Sequence, residues 1–254
     1  MKNRALFPLA SCLFLLAALP AAPACAEATH SIAYLCKTEG PNRAIDDAAM
    51  THIASLGFTV HAVDEATNPD EVKDDLVILS STVSGKNVSP AWRQSGKPLL
   101  TWENDSLDDL AMTGKRHDTD FGEAEKERYL WLVNAPHPMS GGLKAGLVNV
   151  YTRQSPMSWG KPGLGATLIA TIYGQPEKAA IFGYEKGATM DYETLAPARR
   201  VMLFLNNATF TLLSPQGLCL FDSAFLDEWP TGSRFVMPLI DAAHECPSLG
   251  ILLS

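Results

Sequence analysis

Asp75-Leu76-Val77-Ile78-Leu79-Ser80-Ser81 sets an acid, four aliphatic residues and two serines in a row. Four consecutive apolar residues leave no polar face, so the segment reads as a strand covered on both sides, as a central strand of a parallel sheet must be. Upstream, Ser31-Ile32-Ala33-Tyr34-Leu35-Cys36 reads as a first buried strand. Pro41 then opens a helix, because its missing N–H costs nothing in a first turn. Ile45, Ala48, Ala49, Ile53 and Leu56 recur at helical spacing, and Gly57 supplies the stop. Phe58-Thr59-Val60-His61-Ala62-Val63 is the second strand. Downstream, Ser89-Pro90 starts a short helix that ends at Gly96, and Pro98-Leu99-Leu100-Thr101-Trp102 is the fourth strand. Strands alternating with helical segments predict an α/β domain: a flavodoxin-like, doubly wound, mainly parallel sheet with helices on both faces.

The second half changes rhythm. Residues 129–133, 147–151, 166–173, 179–184 and 201–205 are strand-like, and short turns such as Pro162-Gly163 and Gly174-Gln175-Pro176 separate them. Partly antiparallel additions to the sheet are expected there. His117 and the charged run 123–128 read as an exposed loop or helix. Ser214-Pro215 caps a last helix with Leu218, Phe221, Phe225 and Trp229 on one face. Residues 230–254 form a Pro- and Gly-punctuated tail.

The N-terminus reads as an address. Lys2 and Arg4 precede an apolar stretch up to Leu19, and Ala24-Cys25-Ala26 before Glu27 is an A-x-A cleavage site. That order is the signal-peptide pattern, and the apolar core is shorter than the roughly 20 residues of a membrane span. Leu9-Ala10-Ser11-Cys12 and Ala24-Cys25 leave a lipoprotein variant open. The expectation is a signal peptide over residues 1–26, a domain over 27–229, the tail, and a secreted or periplasmic location without a membrane anchor. Cleavage leaves 228 of the 254 residues, enough for one domain with a full core. It also removes two cations and no acid, which moves the net charge from −8 to −10. Such a surface argues against nucleic acid and anionic membranes as partners and suits neutral or cationic ligands. Cys36, Cys219 and Cys246 remain. Cys219 sits in an apolar helical pattern and reads as core, and Cys36–Cys246 is the expected disulfide. No C-x-x-C or paired metal-ligand spacing occurs, so no cofactor and no metal are expected.

Several stretches together carry a resemblance. They are residues 75–81 followed by 98–103, then Asn134-Ala135-Pro136-His137-Pro138-Met139-Ser140-Gly141-Gly142-Leu143, then residues 180–187 before Arg199-Arg200-Val201-Met202-Leu203-Phe204-Leu205. Over about residues 30–229 the chain resembles the class I glutamine amidotransferase-like fold, and within it the trehalose-utilisation (ThuA-like) group. It is similar to modules of this type in secreted bacterial proteins, often beside carbohydrate-active domains. The resemblance implies a fold more than an activity. Amidotransferases need a cysteine at a strand-to-helix elbow, with a histidine and an acid to activate it. Trp102-Glu103-Asn104-Asp105 follows the fourth strand, and no cysteine stands there or after the third. Cys36 ends the first strand, the wrong place, so glutaminase chemistry is not expected.

In open parallel sheets ligands bind beyond the carboxyl ends of the strands. That rule selects Lys37-Thr38-Glu39, Ser80-Ser81-Thr82 and Glu103-Asn104-Asp105. Glu103 is the leading acid–base candidate, set against a plain capping role. His137, between two prolines, is either a second acid–base group or a loop anchor. Ser81, Thr82, Asn104 and Asp105 are candidate ligand contacts, and Trp102 and Trp159 either stack on sugar rings or fill the core. Three readings follow: a noncatalytic module for a small molecule or carbohydrate, an enzyme on sugar-like substrates using Glu103 with His137, and an interaction protein of the envelope.

Overall fold

The computed structural model describes residues 30–227. The expected signal peptide, Trp229, Cys246 and the tail 230–254 lie outside the described residues. In chain order the elements are β1 (Ser31–Cys36), α1 (Arg43–Ser55), β2 (Thr59–Asp64), β3 (Leu76–Leu79), β4 (Leu99–Thr101), β5 (Phe121–Glu127), β6 (Tyr129–Leu132), β7 (Gly146–Asn149), β8 (Ser155–Gly160), β9 (Thr167–Ile172), β10 (Gln175–Tyr184), β11 (Arg200–Met202) and α2 (Pro215–Asp227). The result is a mixed α/β fold: one large sheet and few helices.

The strands lie in the order β2-β1-β3-β4-β11-β10-β9-β6-β7. The first five are mutually parallel. From β11 onward every pairing is antiparallel. β3 earns its central place: all four of its residues are buried. Because the direction alternates beyond β11, β6 runs against β4, and its carboxyl end lies at the edge where β4 begins. That reversal decides which loops can meet.

Side-chain alternation splits the interior into two layers. Ile32, Tyr34, Leu76, Ile78 and Leu100 face one side, with Ala49 and Ile53 of α1 and Phe221 and Phe225 of α2. Ala33, Leu35, Val77, Leu79 and Leu99 face the other. Both described α-helices therefore pack on the same face, where His52 Nε2 and Asp222 Oδ1 lie 2.7 Å apart. The expectation of helices on both faces is not met among the described residues. The second face is closed by loops and short 3₁₀ turns that bury Val72, Trp92, Leu107 and Leu110. The helix expected after Ser89 is one of these turns, Pro90–Gln94. Arg200, fully buried, holds it by donating to the carbonyls of Ser95 (2.6 Å) and Lys97 (2.8 Å). Those bonds replace the water that a buried guanidinium gives up.

Two further expectations change. The charged run 123–128 is mostly strand β5, paired antiparallel with β8. Phe121 and Ala124 point inward while Glu123 and Glu125 face out, so half-burial satisfies the charges. Cys36 is a buried free thiol, so the expected Cys36–Cys246 disulfide is not formed; Cys219 is a core residue as expected, and it is the cysteine engaged in a disulfide. At the far end of the sheet the second face is bare. Trp131 and Tyr173 are 45 % and 51 % exposed, with ring centroids 6.2 Å apart.

Candidate functional site

The carboxyl ends of β1 and β3, and the loop after β11, converge on one cavity of about 140 Å³. Lys37, Asn42, Arg43, Ser81, Thr82 and Asn207 line it, with Glu39 at the same loop. Its floor is organised by Asp46, in the first turn of α1. Asp46, Ala49 and Ile53 are spaced by three and four residues, so the carboxylate falls on the buried stripe of the helix. Its oxygens accept from Ser80 Oγ (2.7 Å), Thr82 Oγ1 (2.7 Å) and the Tyr34 hydroxyl (2.9 Å). Burial pushes the Asp46 carboxyl up, and those hydroxyls pull it back. Burial, and then the neighbouring carboxylate, also hold the Tyr34 hydroxyl well above its ordinary value.

Asp46 thus fixes the turn after β3 by using the hydroxyls on either side of Ser81. Ser81 itself is only 5 % exposed, and its Oγ has no hydrogen-bond partner. Arg43 donates to Asp47 Oδ1 at 2.8 Å and to Cys36 Sγ at 3.2 Å. Burial, reinforced by Asp46, pushes the Cys36 thiol up to about 11. It is a neutral packing group here.

Glu103 follows β4 on the same edge but does not line the cavity. Its N–H donates to Thr101 Oγ1 (3.0 Å), and its Oε1 accepts from the Asp105 N–H (2.9 Å). It caps the three-residue turn Asn104–Ser106. Burial pushes its carboxyl up to about 8. The Asp105 N–H opposes this, the Asp105 and Glu123 carboxylates add to it, and Lys37 lowers it. Asn104 is buried, with Nδ2 donating to Glu123 Oε1 at 3.3 Å and Oδ1 unpaired. Asp105 is exposed and lies 3.6 Å from His117 Nε2.

The structure brings Ser81 and Thr82 together at the cavity, with Glu103, Asn104 and Asp105 along the same edge. It does not bring His137 there. His137 Nδ1 accepts from the Met139 N–H (3.2 Å) and caps the turn Pro138–Ser140, which follows β6. Met139 Sδ takes a hydrogen bond from Arg199, the residue before β11, at 3.4 Å. His137 therefore stands at the amino edge of the parallel strands, opposite Glu103. The tryptophans are core residues. Trp102, 3 % exposed, packs on Tyr34 and Phe221 with centroids 5.9 Å away in each case. Trp159, also 3 % exposed, has the Lys178 ammonium 4.9 Å from its ring centre. Neither offers a free face to a sugar. Sequence reasoning missed Asp46, Asn42, Arg43 and Asn207. For Asp46 the signal was present, since a carboxylate on an apolar stripe asks for partners.

No protein-family model matches the sequence, and no curated protein matches it. Among solved structures, the chain is similar to a putative ThuA-like protein from Bacteroides uniformis, with 11 % identity and a TM-score of 0.52 over 82 % of this chain and 94 % of that one. The chain shares the ThuA-like fold. A putative ThuA-like protein from Parabacteroides merdae aligns with 13 % identity and a TM-score of 0.48, over 79 % of this chain and 90 % of that one. At 11 % identity the likeness to the Bacteroides uniformis protein speaks for the fold alone, and it agrees with the resemblance read from the sequence.

Proposed function

We propose that the chain is an exported, noncatalytic domain that holds a small hydroxylated ligand, of carbohydrate type, in the cavity beyond β1 and β3. The observation that carries the reading is Ser81, a residue of the cavity wall whose buried Oγ has no partner while Ser80 and Thr82 are committed to Asp46. A buried hydroxyl left unpaired costs about 1–3 kcal/mol. A ligand hydroxyl that pairs with it recovers that cost. The parallel run β2-β1-β3-β4-β11 supports a flavodoxin-like reading of this half of the sheet. In such sheets the binding crevice opens where the strand order reverses, here between β1 and β3. Drug-sized ligands need about 300–1,000 Å³, so a cavity of about 140 Å³ suits a single ring or less.

The enzyme reading loses its pair of acid–base groups, because Glu103 and His137 lie at opposite edges of the sheet. The test is saturation-transfer NMR on the mature chain with glucose, inositol and glycerol, repeated on Ser81→Leu. Transfer to at least one polyol, abolished by a leucine that fills the cavity while Tm holds, supports the reading. No transfer to any of them, or transfer unchanged in Ser81→Leu, overturns it. Export has its own check. Intact mass of the protein recovered from the periplasm or medium should start at Glu27, and a chain retaining residues 1–26 contradicts processing.

A further inference from the structure

We infer that the ligand of this cavity carries an oxyanion, a carboxylate or a phosphate group, and that Lys37 is its counter-charge. The inference rests on the binding reading above and names the class of ligand. Over the whole chain acids outnumber bases, with a net charge of −8. The cavity departs from that balance, with Lys37 and Arg43 both in its wall. Arg43 is held by Asp47 and Cys36. Lys37 is exposed, and among the described residues its ammonium makes no hydrogen bond or ion pair. The acid behind it, Glu103, is kept neutral by burial below about pH 8 and leaves the Lys37 charge uncompensated.

Two further features point the same way. The loop Gly40-Pro41-Asn42 that leads into α1 lines the cavity. Asn42 at the N-cap of this 13-residue helix makes no side-chain capping bond; the Arg43 and Ile45 N–H groups donate to the carbonyls of Gly40 and Asn42, which leaves the Ala44 N–H as the first-turn donor on the side of the wall. Helix N-termini attract anions because their free N–H groups and the helix dipole both favour negative charge. Independently, Ser81 lines the same wall, and its buried Oγ has no partner. It is a donor for one oxygen of the anion, beside the turn that Asp46 holds rigid. Glu39 is the opposing charge on the rim. It competes with the anion for Lys37, and this gives the inference a signed test.

The experiment is isothermal titration of the mature chain, residues 27–254, with inorganic phosphate, glucuronate, glucose 6-phosphate and glucose at low and high salt. Glucuronate or glucose 6-phosphate should bind at least about tenfold more tightly than glucose, since a charge-assisted hydrogen bond outweighs a neutral one. Affinity should fall as salt screens the charge. Lys37→Met should lose most of that advantage, and Glu39→Gln should tighten binding. If glucose binds as well as glucuronate, is lost in Ser81→Leu and is untouched by Lys37→Met, the anion is wrong and the cavity stands. If the anions bind but neither Lys37→Met nor Glu39→Gln changes affinity, the assignment of Lys37 is overturned. If none of the four probes binds and the polyols also fail, both readings fall.

Discussion

Replacing Glu103 by glutamine should stabilise the protein at neutral pH and leave it unchanged in acid. The carboxyl lies 5 % exposed under the turn it caps. Burial raises it from an ordinary 4.5 to about 8. A carboxyl raised in the folded state holds its proton more tightly folded than unfolded, so its contribution is greatest in acid and declines as pH rises from 4.5 to about 8. Each pH unit in that window is worth about 1.4 kcal/mol, so ionisation costs the wild type roughly 3 kcal/mol of stability by pH 7. Glutamine cannot ionise, yet its amide oxygen still accepts from the Asp105 N–H. Urea unfolding of both proteins from pH 4.5 to 8.5 isolates the effect, because every other titrating group cancels in the difference. The two curves should coincide near pH 4.5 and separate steadily, with Glu103→Gln ahead by roughly 3 kcal/mol at pH 7. A gap independent of pH, or a wild type more stable at pH 7, refutes the reasoning and places an ionised Glu103 against Lys37.

Asp46→Ala strands three hydroxyls and should cost about 3 kcal/mol or more, read from the urea midpoint. Asp46→Asn should cost less, because one amide oxygen still takes Tyr34 and Ser80; equal losses would show that the charge, not the geometry, matters. His137→Ala removes a turn cap at the amino edge and should lower stability by about 1 kcal/mol without changing ligand affinity. Lost affinity at unchanged stability would return His137 to the site. Cys36, fully buried and raised to about 11, should resist iodoacetamide at pH 8 in the native protein and react once urea is added. Labelling of the native chain would contradict that burial.

The parallel half of the sheet was legible because its strands are unbroken apolar runs. Residues 31–36 and 76–79 read as they fold, and α1 announced itself by its stripe. β5 was not legible, because only Phe121 and Ala124 point inward among its charges. The one-sided helical layer was hidden for a different reason. Trp92 and Leu107 cover the second face from irregular turns, and the turn of Trp92 is held by Arg200, a contact no local pattern encodes. Beyond the strand ends, the rule selected Lys37, Ser81 and Thr82, which line the cavity. His137 is weighed for the cleft from its proline-flanked loop; strand direction is invisible in a five-residue apolar run, and β6 runs against β4. Trp102 and Trp159 could not be told from surface aromatics, since burial depends on partners far away in sequence.

A small polar molecule should bind beyond the carboxyl ends of β1 and β3. Backbone amide shifts of the mature, isotope-labelled chain, followed as glucuronate or glucose is titrated in, report that place directly. The largest changes should fall on residues 37–44, 81–83 and 207 and saturate together. Changes centred instead on the bare sheet face around Trp131 and Tyr173, or no saturable change anywhere, would contradict it.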